Sequence, residues 1–135
     1  MKRIVFFLIF LGALLARNSF AQMPSADLRY HDLTRAIDLA EGRISIPDTD
    51  EDYAAIGAAG WLDGIHAALI TNGQAGYPMA VCPSVAAPRL TLAKLYVKYM
   101  DANPKSHQMP DAAVAILSQI QAFPCPKSGA ASVGP

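Results

Sequence analysis

Cysteine is nearly absent from the chain: Cys82 and Cys125 are the only two in 135 residues. Each stands alone beside proline, so the paired spacing of a zinc site is missing. Tryptophan occurs once, and charged residues make up only 16% of the chain, with eleven basic against eleven acidic. That balance argues against nucleic acid as a partner. Strand-like alternation and internal repeats are both lacking. No Ser-containing nucleophile elbow and no Cys-His signature occurs. The three histidines, His31, His66 and His107, sit in unrelated contexts whose spacing does not favour a metal site. No metal or other cofactor is expected, and the chain does not read as an enzyme.

A hydrophobic run long enough to span a bilayer is also missing from the N-terminus. "MKRIVFFLIFLGALLARNSFAQ" has basic Lys2 and Arg3, an apolar run from Ile4 to Leu15, and small residues at Ser19 and Ala21. This is the layout of a cleaved secretory signal peptide over residues 1–21, because a spanning helix needs about 20 apolar residues. Lys2, Arg3 and Arg17 leave with it, so eight basic residues then face eleven acidic ones. The mature protein is expected to be exported and soluble, with a net charge of −3 that disfavours nucleic acid further. Its acids concentrate from Asp27 to Asp63, and its bases from Arg89 to Lys127.

What recurs in the mature chain is helical spacing. Tyr30, Leu33, Ile37 and Ala40 share one face of a first helix. Pro47 interrupts, and Asp48, Thr49 or Asp50 caps a second helix that the Asn72-Gly73 pair is expected to stop near Thr71. A Gly- and Pro-rich loop holding Cys82 leads to a third helix with Leu92, Leu95, Tyr96, Tyr99 and Met100 on one face. "NPKSHQMP" makes a turn, and a fourth helix carries Ala113, Ile116, Leu117, Ile120 and Phe123 before Pro124. Residues 126–135 have little to bury and are expected to be a disordered tail.

The short turn makes the last two helices antiparallel, which brings Cys82 and Cys125 to the same end. In an oxidising compartment the simplest outcome is one disulfide, contributing about 4 kcal/mol, with an intermolecular bridge as the alternative. The fold class is therefore all-α, a small bundle of about four helices with one staple.

The second helix contains "GWLDG". At 100° per residue, Gly57, Gly60 and Gly64 fall in one stripe with Trp61 on its flank. Each glycine costs a helix about 1 kcal/mol against alanine, so the stripe reads as a face kept small for close packing. Asp63 and His66, at i,i+3, point the other way and read as a solvated polar pair, not a catalytic dyad.

"GWLDGIHAAL", "CPS", "LAKLYVKYMDANP" and "AILSQIQAFPC", in that order after a signal peptide, resemble the Rap/Tai family of immunity proteins of type VI secretion. The resemblance spans Tyr53 to Cys125 and assigns residues 22–125 to one such helical domain. It implies a periplasmic protein, typically a homodimer, that binds and blocks a papain-like, peptidoglycan-cleaving cysteine amidase. The family often has a cysteine two residues before the Gly-aromatic pair, where this chain has Ala58. On this reading Asn103, Lys105, His107 and Gln108, in a polar turn held by Pro104 and Pro110, are the candidate partner-binding residues. Ile70 and Tyr77 are candidates for a dimer surface. The alternative is a small periplasmic helical chaperone of the acid-stress type, with the acid-rich first half as its switch.

Overall fold

The computed structural model describes residues 25–45, 49–77, 81–82 and 86–125. The expected leader (1–21) and tail (126–135) lie outside the described residues. Within them the protein is all-α. It comprises α1 (Ala26–Ala40), α2 (Asp50–Gln74), α3 (Arg89–Ala102), a 3-10 turn (Pro104–Gln108) and α4 (Asp111–Ala122).

Local chemistry sets the helix ends. Ser25 caps α1 by accepting a hydrogen bond from the Leu28 N–H at 3.3 Å. Thr49 caps α2 in a reciprocal capping box with Asp52. Asn72-Gly73 does not stop that helix, which continues to Gln74. The left-handed conformation that ends a helix falls instead at Gly76, with φ 78°. Prolines at 88 and 110 open α3 and α4, where a missing N–H costs nothing.

The core joins Leu33 and Ile37 of α1, Ala58 and Leu62 of α2, Leu92, Tyr96 and Met100 of α3, and Val114 and Ala115 of α4. Tyr96 is fully buried, and its hydroxyl donates to the Ala26 carbonyl at 3.3 Å. Burial raises the Tyr96 phenol above its usual range, and the negative charge of Asp111 adds to the effect. Stability tied to keeping this phenol protonated is complete below pH ~10, where free tyrosine ionises, and falls as pH rises beyond that. Chemical denaturation should therefore show a steeper alkaline loss for the wild type than for Tyr96→Phe. Equal slopes would contradict the assignment.

The glycine stripe corrects the sequence expectation. The buried side of α2 carries Ala55, Ala58, Leu62, His66 and Leu69. Gly57, Gly60 and Gly64 lie roughly half a turn away, and a methyl group at any of them would meet nothing within 4 Å. The reason is area: the leucine side buries far more apolar surface than a glycine side can. Trp61 is half-buried, under the Arg29 guanidinium at 4.4 Å from its ring. Gly60→Ala should then stabilise the protein by up to about 1 kcal/mol in urea denaturation, since the helix gains propensity and meets no clash. A loss of stability would show that the face is packed after all.

The buried face of α4 is also rotated from the expected one. Val114, Ala115, Ser118 and Gln119 point inward, while Leu117 is 40% exposed. Polar anchors set this rotation: Asp111 accepts from Arg29, and Gln119 reaches His66.

Cys82 and Cys125 form the intramolecular disulfide, 43 positions apart in sequence. Beside it the Cys82 N–H donates to the Phe123 carbonyl at 3.0 Å, and Val81, fully buried, donates to the Leu69 carbonyl at 3.5 Å. The staple thus fastens the middle of the α2–α3 connection to the segment just after α4. Such a bond points to an oxidising compartment.

Candidate functional site

The acid and imidazole of "GWLDGIH" do not form a pair. Asp63 accepts from Arg89 Nε at 3.1 Å on a partly exposed surface. His66 is 2% exposed, contrary to its expected solvated position. The Ala87 N–H can only donate, so the 3.3 Å contact makes His66 Nε2 the acceptor. The ring proton is then on Nδ1, donating to Gln119 Oε1 at 2.8 Å, with Phe123 against the ring at 5.4 Å. His66 is a buried tie between α2, the segment entering α3, and α4.

A second tie crosses the other end of α4. Arg29 donates from Nε and Nη2 to Asp111 Oδ2 at 3.2 and 3.1 Å and lies over Trp61. On the far side of α1, Arg35 binds Asp52, which holds the Arg35 guanidinium above its ordinary pKa. Arg43 binds Asp38 and Glu41, and Lys94 also reaches Glu41. The acid-rich first half is therefore not a free negative surface; local ion pairs neutralise much of it.

The turn expected to meet a partner is exposed and firmly built. Asn103 Nδ2 donates to the Tyr99 carbonyl at 2.8 Å, closing α3. Ser106 is buried, its hydroxyl donating to the Asn103 carbonyl at 2.6 Å. The Ala26 N–H donates to the Met109 carbonyl at 3.1 Å, which pins the end of the turn to the start of α1. Lys105 and Gln108 face solvent. His107 does not stand free: its Nδ1 lies 2.8 Å from Asp27 Oδ1, and its ring is 5.3 Å from Tyr30. His31 approaches the other oxygen of Asp27 at 3.9 Å. Tyr30 donates its hydroxyl to Asp101 at 2.9 Å, a bond that raises the phenol's pKa.

The structure thus brings together Asn103, Lys105, His107 and Gln108 on one turn, and adds Asp27, Tyr30 and Ser106 as its supports. The Asp27–His31 spacing of i,i+4 is visible in the sequence. The Asp27–His107 contact, 80 positions apart, is not. Of the two residues expected at a dimer surface, Tyr77 is 64% exposed, whereas Ile70 is half-buried. Among the described residues no group of three His, Cys, Asp or Glu side chains is arranged to hold a metal ion. By length and composition α2 would suffice to cross a membrane, though its Leu62 and Leu69 are committed to the interior.

Comparison with models of known protein families, with curated proteins and with solved structures finds no match to this chain.

Proposed function

We propose that the protein is a non-enzymatic binding protein of the periplasm: an immunity protein that binds and inhibits a peptidoglycan-cleaving cysteine amidase delivered by type VI secretion. The observation that carries the binding part of this reading is the turn Pro104–Gln108. It exposes Lys105 and Gln108 while Ser106, His107 and the Met109 carbonyl fix it to the bundle. A polar loop held this way loses little conformational freedom when it docks, which favours affinity. The disulfide suits an exported location. The choice of amidase rests on the resemblance of the sequence motifs. The self-association usual in that family would use the surface around Tyr77.

The test is direct inhibition. The purified protein, mixed in equal amount with a candidate exported cysteine amidase, should abolish release of peptide from peptidoglycan. Lys105→Glu should weaken the complex. Full amidase activity at several-fold excess of the protein would refute the pairing.

The acid-stress chaperone remains a second reading. Exposed Leu28, Tyr53 and Ile56, together with the Glu51 and Asp52 carboxylates paired with Arg35 across α1 and α2, favour it. It requires suppression of client aggregation in acid but not at neutral pH.

A further inference from the structure

Seven basic side chains fall among the described residues, and carboxylates hold five of them. Arg29 binds Asp111, Arg35 binds Asp52, Arg43 binds Asp38, Lys94 binds Glu41 and Arg89 binds Asp63. Lys98 and Lys105 are exposed, and among the described residues no carboxylate pairs with either. One unpaired lysine is an ordinary solvated group. These two flank Asn103, at the end of α3 and on the turn.

Lys98 also lines a groove, and Lys105 follows the groove's Asn103 by two residues. Between α3 and α4 runs an open depression of about 230 Å³, lined by apolar Leu95, Tyr99 and Ala122 and by polar Lys98, Asn103 and Gln121. The nearest carboxylate along the chain, Asp101, accepts from the Tyr30 hydroxyl of α1. Apolar area beside lysines that no carboxylate pairs with is complementary to a segment carrying carboxylates next to an apolar side chain. Two cations are too few to hold a nucleic acid or a membrane firmly, because each phosphate-type contact contributes modestly at physiological salt.

We propose that the α3–α4 groove docks an acidic segment of a partner protein, with its carboxylates on Lys98 and Lys105 and an apolar side chain against Leu95 and Tyr99. The inference rests on the reading of this chain as a partner-binding protein and names the chemistry the partner presents. On the amidase reading, the enzyme's contact surface is acidic beside the turn.

The probe is a synthetic peptide of about eight residues alternating Glu and Leu, with a Gln-Leu peptide of the same length as its neutral counterpart. Both are titrated into the isotope-labelled protein, and backbone amide shifts are followed. The Glu-Leu peptide should shift amides in residues 95–105 and 118–122. Its affinity should fall with added salt and exceed that of the Gln-Leu peptide roughly tenfold. The double variant Lys98→Glu, Lys105→Glu, both at exposed positions, should keep the wild-type circular dichroism and lose about the same tenfold.

Equal binding of the two peptides, shifts confined to another face, or unchanged affinity in the double variant would each overturn the proposal. So would lysine-dependent capture of the protein by phosphatidylglycerol vesicles without binding of the Glu-Leu peptide. Failure to inhibit any amidase, with Glu-Leu binding intact, would remove the immunity reading and leave the groove assignment standing.

Discussion

Replacing Cys82 and Cys125 together by alanine is expected to lower the thermal unfolding midpoint by roughly 15–20 °C. The closed loop spans 43 positions, and constraining a loop of that length in the unfolded chain is worth about 4 kcal/mol. A small domain has only about 5–15 kcal/mol of net stability, so this is a large share. The bond also holds specific structure. Val81 is buried beside it, and the Cys82 N–H donates to Phe123, whose ring packs on His66. Loss of the staple should therefore loosen the junction of α2, α3 and α4 first, with amide exchange rising at Val81, Cys82 and Ala87 before it rises at Leu33 or Tyr96. Calorimetry of the wild type with and without reductant, beside the double variant, measures the effect. A fall below 5 °C would show that helix packing alone fixes this end of the bundle.

His66→Ala is expected to cost about 3 kcal/mol, whereas Asp63→Ala should stay within about 0.5 kcal/mol. The first removes a buried ring and strands two polar groups, Gln119 Oε1 and the Ala87 N–H, that it satisfies from two other elements. Gln119 is already strained in this respect, since its Nε2 is buried without a hydrogen-bond partner among the described residues. The second removes one end of a surface pair with Arg89, which water replaces readily. A working acid–base dyad would behave differently: both variants would lose the same activity at little cost in stability. Urea denaturation of the two variants separates the cases. Equal and small losses would return Asp63 and His66 to consideration as a pair.

These two residues also show where sequence reading succeeds and where it stops. The helices were legible because their apolar residues recur at helical spacing between prolines, and the disulfide because a short turn makes α3 and α4 neighbours. The helix termini were partly legible: Thr49 with Asp52 is a local signal, but Gly76 ends α2 although Asn72-Gly73 looked stronger. Which face turns inward was not legible for α2 or α4. A projection ranks small and apolar residues alike, whereas burial follows area and long-range polar anchoring. Leu62 outweighs Gly60, and His66 enters the core because Gln119 and Ala87, distant in sequence, satisfy both ring nitrogens. The turn Pro104–Gln108 was legible as a polar loop, but not its support, since Asp27 and His107 meet only after the chain has folded. The unpaired state of Lys98 and Lys105 emerges only once the five other lysines and arginines among the described residues have found their carboxylates.

The central claim is that this protein disarms an exported amidase by binding it. Co-expression in the periplasm with a candidate exported cysteine amidase tests that claim in one culture. Optical density should hold when the protein is present and collapse when it is omitted, and removal of residues 1–21, the expected leader, should abolish protection. Lysis that continues unchanged in the presence of the exported, folded protein would contradict the account.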